Sequence, residues 1–292
     1  MRRILPPNEE SILRTLSYSD IFSFPLTKEE IKKYFLRVEF SFWDQTSFKN
    51  LLKSKKISFK NNFYFLKGRE KIVDLRLEKN KISISKIEIA KKYALILSKI
   101  PSIEFIGISG SLALNSAGWD DDIDFFIITK AKTLWITRFL SVILLKSLRV
   151  RREKRGKKHS NKICLNMFLD KNNLLIPKFM QNIYTAHEIM QIKPIFNRNN
   201  TYREFLKINN WTFQIMPYSQ FFLSKEIYFS SKNNFFLILI FRFLEKPFKF
   251  LQIMYMRNIT NEKILSNLLA FHPNDLTRKV IKEYNMKLNY EV

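Results

Sequence analysis

Four aspartates lie between two apolar segments in the stretch from Ile106 to Ile128, which reads IGISGSLALNSAGWDDDIDFFII. The second apolar segment is typical of a strand, and Asp122 and Asp124 stand two residues apart at its start. Side chains two apart in a strand point to the same face, so these carboxylates are expected side by side. Adjacent carboxylates repel each other, and Mg²⁺ is commonly held by one or two carboxylates together with substrate phosphates. The pair therefore predicts a site for Mg²⁺ or Mn²⁺.

A Ser-Gly-Ser turn ends the first apolar segment. Gly110 lets a phosphate approach the backbone, and Ser111 adds a hydroxyl and an N–H where a helix is predicted to begin. Phosphate binding beside a metal pair is the chemistry of nucleotides. The alternative interpretation is an acidic turn that caps a hairpin. Such a turn does not require Asp124 inside an apolar strand, where an unpaired carboxylate is costly to bury.

This arrangement resembles the DNA polymerase beta-like nucleotidyltransferase superfamily. Gly110-Ser111 and Asp122-Ile123-Asp124 match its motif in type, order and spacing, and the resemblance covers residues 100–198. It implies transfer of a nucleoside monophosphate from a nucleoside triphosphate to a hydroxyl group. Asp122 and Asp124 would be catalytic residues that hold the metal, and Gly110 and Ser111 would bind the triphosphate.

Members of the superfamily supply a third carboxylate from a later strand, which helps to hold the metal and accepts the proton of the attacking hydroxyl. The candidate strand here is 162–170, and Asn166 occupies the expected position. An amide can bind a cofactor cation but cannot act as a base, so Asp170 is the remaining candidate for the catalytic base. Two functions stay open, a nucleotidyltransferase and a catalytically weakened, nucleotidyltransferase-like regulator that binds nucleic acid.

Residues 1–67 resemble a winged helix-turn-helix domain on pattern alone. Three helices and a hairpin are predicted there, and the second helix begins with a capping box from Thr27 to Glu30. In such domains the third helix enters a DNA groove. The lysines expected to contact phosphates are Lys49, Lys53 and Lys60. A protein–protein interaction module is the other interpretation. The order of this unit and the following one also resembles a family of microbial proteins, and that resemblance implies no activity.

Composition indicates a polyanionic partner. The chain carries 51 lysine and arginine residues against 26 acidic ones, a formal net charge of +25. The partner is expected to be nucleic acid or an anionic membrane surface. The one cysteine, Cys164, lies in an apolar strand and cannot form an internal disulfide. No apolar stretch approaches the ~20 residues of a spanning helix, so we expect a cytoplasmic protein without a transmembrane segment.

The predicted fold class is α+β, with an N-terminal winged-helix-like domain, a central mixed sheet flanked by helices and a C-terminal helical region. Residues 68–100 are expected to form a helical connector, 101–200 the nucleotidyltransferase domain, and 201–292 the helical region.

Two further segments have several interpretations. A basic block follows the apolar helix predicted over 134–148, and it is either a solvated loop or a surface that holds nucleic acid or triphosphate. The apolar segment 235–256 could pack on the protein, form a dimer interface or lie on a membrane surface. Oligomeric state is left open.

Overall fold

The fold places an N-terminal helical unit against a mixed sheet that carries the aspartate pair. The structure is a computed structural model that describes residues 5–153, 159–223, 235–257, 263–265, 268–270 and 274–291. Of the basic block, Lys154, Arg155, Lys157 and Lys158 lie outside the described residues. The first elements are helix α1 (Pro7–Asp20), helix α2 (Lys28–Lys33), helix α3 (Thr46–Lys53), strand β1 (Ile57–Lys60) and strand β2 (Phe63–Leu66).

The N-terminal unit contains three helices and a hairpin in the predicted order. Helix α2 begins at the capping box: Thr27 Oγ1 accepts from Glu30 N at 3.2 Å, and Glu30 Oε2 accepts from Thr27 N at 2.9 Å. Leu26 pairs with Tyr64 through two backbone hydrogen bonds of 3.0 and 2.7 Å, which connects the start of α2 to β2. Membership of the winged-helix class and a role in DNA binding stay predictions.

A single long helix, α4 (Lys71–Leu97), follows the hairpin. A helical connector was predicted over residues 68–100, and because no glycine or proline interrupts residues 71–97, one helix continues throughout them. Its buried Arg76 forms an ion pair with Glu30 at 2.7 Å and lies over the Phe24 ring at 3.6 Å. These contacts fix α4 to the N-terminal unit.

The central sheet carries the motif residues. Its elements are strand β3 (Ile103–Ile108), helix α5 (Gly110–Ala113), strand β4 (Ile123–Thr129), helix α6 (Leu134–Ser147), strand β5 (Ile163–Asp170), helix α7 (Ile183–Gln191) and strand β6 (Lys193–Asn197). The strand order is β6, β3, β4, β5, with β3 antiparallel to both neighbours and β4 parallel to β5. Helix α6 lies in the crossover that parallel strands require. The prediction that β3, β4 and β5 belong to one mixed sheet is confirmed.

The C-terminal region is mainly helical and adds a short hairpin to the sheet. Its elements are helix α8 (Thr201–Ile208), helix α9 (Trp211–Ile215), helix α10 (Phe235–Arg257), strand β7 (Lys263–Leu265), strand β8 (Leu268–Ala270) and helix α11 (Asn274–Glu291). Strand β8 pairs with β5 and β7 pairs with β8, both antiparallel. The α+β fold class is confirmed.

One hydrophobic core joins the N-terminal unit to the sheet. It contains Phe35 and Leu51 of the unit and Phe105 and Phe126 of the sheet, which are 0–2% exposed. Burial of such side chains stabilises the folded state by about 1.5–3 kcal/mol each. The predicted boundary at residue 67 therefore separates two sequence patterns that share one core.

Helix α11 packs on α1, far away in the sequence. Lys287 Nζ lies 2.6 Å from Asp20 Oδ2, and the two residues are 267 positions apart. Beside this ion pair, the rings of Tyr18 and Tyr284 meet edge to face with centroids 5.8 Å apart. Helix α11, from the C-terminal part of the described chain, thus covers one side of the N-terminal unit.

Helix α10 packs against α6, the first of the three roles left open for it. The Glu245 carboxylate accepts from the N–H groups of Trp135 and Ile136 at 3.0 and 3.1 Å, at the start of α6. The outer face of α10 stays exposed, with Phe236 at 72% and Phe243 at 82%. Among the helices that the structure describes, none is long and apolar enough to cross a membrane.

Candidate metal and nucleotide site

The turn after β3 touches the aspartate pair directly. Gly110 has φ +64°, and a Cβ placed there would lie 2.7 Å from Asp124 Oδ2. Ser109 N donates to the backbone oxygen of Asp124 at 2.9 Å, which holds the turn against the start of β4. Both the left-handed backbone conformation and the close approach of the Asp124 carboxylate therefore favour glycine at position 110.

Asp122 and Asp124 meet at the start of β4, as predicted. The Asp124 oxygen Oδ1 is buried, and among the described residues it has no hydrogen-bond partner. Burial, with the neighbouring charge of Asp122, raises the pKa of Asp124 from 3.8 to about 7. The Cys164 thiol and the charge of Arg152 oppose this rise in pKa only in part, so the buried carboxyl group is suited to bind a cation.

Arg152 supplies the positive charge that faces this pair. Its Nη1 lies 2.7 Å from Asp122 Oδ2 and 3.8 Å from Cys164 Sγ. Arg152 belongs to the basic block that was interpreted as either a solvated loop or a surface that holds nucleic acid or triphosphate, and binding of either stays a prediction. This arginine of the block contacts the site.

Cys164 completes a group of three potential metal ligands. The residue pairs with Asp124 in the parallel ladder of β4 and β5. One ligand atom each from Asp122, Asp124 and Cys164 lies within 4.8 Å of the others. Burial raises the pKa of the thiol. The sequence did not identify Cys164 as a ligand, although strand alternation places residues 164 and 166 on the same face.

Asn166 and Ser111 make hydrogen bonds at the edges of the site. The buried Asn166 Nδ2 donates to Ser109 Oγ at 3.2 Å, so this amide positions the turn after β3. The exposed hydroxyl of Ser111 donates to Asp121 Oδ2 at 3.1 Å, which connects the turn to the acidic loop. Both residues therefore lie at the site, where they hold its two loops.

Asp170 is at the opposite end of the sheet from the pair. It pairs with Thr129, five residues beyond Asp124 on β4, or about 16 Å at 3.3 Å per residue. Its Oδ2 accepts from Lys132 N at 2.7 Å and its Oδ1 from Asn172 N at 2.9 Å. The choice of Asp170 as catalytic base is therefore corrected. Because β4 and β5 are parallel, the end of β5 cannot reach the start of β4.

Lys86 of α4 supports the acidic loop and was missed in the sequence. This side chain is 1% exposed, and its Nζ donates to Trp119 O at 3.0 Å, Asp121 O at 2.7 Å and Asn161 Oδ1 at 3.1 Å. Burial lowers the pKa of Lys86. Its three donors satisfy three acceptors and so fix the loop that leads into Asp122.

Glu188 of α7 brings a further carboxyl group into the electrostatic field of Asp124. Burial and the charge of Asp124 raise the pKa of Glu188 from 4.5 to about 7. The preceding residue, His187, stacks on Tyr18 of α1 with ring centroids 3.7 Å apart, which holds α7 in place. Nothing in the local sequence indicates that the charge of Asp124 influences Glu188.

Comparison with known proteins gives a weak structural match. No family model and no curated protein matches the chain. Among solved structures, a chain from the crystal structure of a toxin-antitoxin with AMP-PNP is 14% identical and has a TM-score of 0.28, over 46% of this chain and 94% of that chain.

Proposed function

We propose that this protein is a metal-dependent nucleotidyltransferase, which transfers a nucleoside monophosphate from a nucleoside triphosphate to a hydroxyl acceptor. The observation that carries the proposal is the contact of Gly110 with Asp124, where a Cβ would lie 2.7 Å from Oδ2. It puts a backbone that phosphate can approach beside a partly buried carboxylate. Asp124 Oδ1 lacks a partner within the described residues and fits a metal ligand.

Different residues of the site would bind the metal ion and the phosphates. Asp122 and Asp124 would hold Mg²⁺ or Mn²⁺, and Gly110 and Ser111 would contact the phosphates. The bound ion would stabilise negative charge on the attacking and leaving oxygens. In the reaction, the acceptor oxygen forms a bond to the α-phosphorus, and the bond from that phosphorus to the bridging oxygen breaks, which releases pyrophosphate.

We assign to Glu188 the role of the general base that accepts the proton of the acceptor hydroxyl. A pKa of about 7 leaves this carboxyl close to half deprotonated at neutral pH, which suits a general base. Asn166 has no basic form, and Asp170 lies at the far end of β5 with both oxygens bonded to backbone N–H groups. Glu188, a buried carboxyl group whose pKa is raised by burial and by the charge of Asp124, is the residue we propose for this role.

Incubation with labelled ATP, CTP, GTP or UTP and Mg²⁺ or Mn²⁺ tests the proposal through release of pyrophosphate and labelling of an acceptor. Asp122→Asn should abolish turnover, and Glu188→Gln should lower it about 10²–10⁴-fold. Glu78→Gln makes the same chemical change at an exposed position of α4 and should leave turnover unchanged. Equal turnover in wild type and Asp122→Asn would overturn the proposal.

A nucleic-acid-binding regulator is the second candidate function. It is favoured by the amide at Asn166, by the net charge of +25 and by Lys49 and Lys53, which are exposed on α3. Lys60 at the hairpin forms an ion pair with Asp74 at 3.2 Å. Binding to duplex DNA should weaken steeply with salt, and Lys53→Gln should reduce the log–log slope by about 1. Salt-dependent DNA binding, together with no turnover of any of the four triphosphates, would favour the regulator over the nucleotidyltransferase.

A further inference from the structure

We propose that Cys164 is the third metal ligand and makes the site prefer a thiophilic divalent ion of the Zn²⁺ class over Mg²⁺. The inference rests on the metal site of the proposed function and adds the identity of the ion it selects. Its first support is the register of β4 and β5, which pairs Cys164 with Asp124. The sulfur and one oxygen from each aspartate lie within 4.8 Å of one another.

A cationic group already lies against two of these three ligands. Arg152 Nη1 is 2.7 Å from Asp122 Oδ2 and 3.8 Å from Cys164 Sγ. The third ligand, Asp124, contributes the buried oxygen Oδ1, which has no hydrogen-bond partner in the part of the chain described. The position between the three side chains is therefore one where positive charge is stabilised and where one acceptor still lacks a partner.

The ligand atoms, two carboxylate oxygens and one sulfur, favour Zn²⁺ over Mg²⁺. Mg²⁺ takes oxygen ligands in near-ideal octahedral geometry and retains several waters. A thiolate is a soft ligand that suits Zn²⁺, and two carboxylates with one thiolate leave the fourth position of a tetrahedral site for an oxygen of the triphosphate. The thiol proton is released to solvent when sulfur binds the ion.

The experiment uses the full chain, in which Cys164 is the one cysteine, so every thiolate signal reports on this residue. Wild type is titrated with Co²⁺, Zn²⁺ and Mg²⁺, alone and with ATP. Wild type should show a sulfur-to-Co²⁺ charge-transfer band. Cys164→Ser should lose the band and bind Zn²⁺ about tenfold or more weakly, since loss of outer-shell partners alone costs this much. Its Mg²⁺ affinity should be unchanged, and Cys164→Asp should shift the preference toward Mg²⁺.

Alkylation of the unaltered protein is an independent measurement. Zn²⁺ should slow the reaction of Cys164 with iodoacetamide, and Mg²⁺ should not. Absence of the band, equal Zn²⁺ affinity of wild type and Cys164→Ser, or alkylation unaffected by Zn²⁺ would overturn the inference. If Mg²⁺ or Mn²⁺ still binds with ATP, the proposed function survives that result. If no divalent ion binds with or without ATP, both fail.

Discussion

The two ends of the β4–β5 ladder each hold a carboxyl group whose pKa is raised by burial, Asp124 at one end and Asp170 at the other. The backbone N–H groups of Lys132 and Asn172 bond both oxygens of Asp170. By contrast, Asp124 Oδ1 has no such partner among the described residues. Asp124 and Asp170, two aspartates of the same sheet, thus differ in the hydrogen bonds that their carboxyl groups accept. A satisfied carboxylate stabilises a turn, and an unsatisfied one is free to bind a cation.

The largest effect that sharpens this contrast is expected for Asp124→Asn. The variant should lose more than about 100-fold in metal-dependent ATP binding, because loss of a ligand exceeds the 10–100-fold cost of losing an outer-shell partner. Calorimetric titration with ATP and Mn²⁺ measures it. Its thermal stability at neutral pH should equal or exceed that of wild type, since a repelled buried charge is removed. Unchanged coupling between metal and ATP would show that Asp124 is no ligand.

Asp170→Ala should show the opposite pattern. Two backbone N–H groups lose their acceptor, which costs about 2–3 kcal/mol in the free energy of unfolding. Metal-dependent ATP binding by the folded protein should stay at the wild-type level. Urea denaturation measures the first effect and the same calorimetric titration the second. A fall in metal binding without a fall in stability would break the comparison.

The pH dependence of stability tests the raised pKa of Asp124. In the folded chain this carboxyl titrates at about 7, above its ordinary 3.8, so the folded state holds the proton more tightly than the unfolded state. This group therefore lowers stability progressively as pH rises from about 4 to about 7, and its cost is constant above that range. Melting temperatures of wild type and Asp124→Asn should agree near pH 4, diverge in favour of the variant between about pH 4 and 7, and keep a constant difference at higher pH. Parallel curves would contradict the assigned shift.

The smallest effect is expected for Arg152→Gln. The arginine is 39% exposed in its ion pair with Asp122, and such pairs contribute about 0.2–1 kcal/mol. Removal of this competing cation should strengthen binding of Mn²⁺ alone by about two- to fivefold, within that energy range. Titration of the variant with Mn²⁺ in the absence of nucleotide provides the measurement. Weaker binding would indicate that Arg152 helps to hold the ion's ligands in place.

Local spacing was enough to predict that the glycine turn and the aspartate pair of the candidate site come together. Gly110, Asp122 and Asp124 lie within one short segment, and the strands on either side have clear apolar patterns. The choice of Asp170 failed because the parallel pairing of β4 with β5 is a tertiary property. The residue pattern of one strand does not determine the direction in which it pairs, so it does not show which end of β5 lies beside Asp122.

The remaining parts of the site depend on contacts between distant positions. Lys86 lies on a charged helix and resembles any solvated lysine, yet its partners are 33, 35 and 75 residues away. Glu188 likewise lies in an ordinary amphipathic pattern. Neither residue has a local signature, because their roles follow from how α4 and α7 pack against the loop and the sheet.

Helix α11 can pack on α1 only after the residues between them have been synthesised. Asp20 leaves the ribosome 267 residues before Lys287, its ion-pair partner. At ~5–20 residues per second, about 13–53 s separate the two events. Throughout that interval the Tyr18 side of α1 lacks the helix that covers it. Nascent chains should therefore present an apolar surface to chaperones until the last helix has emerged.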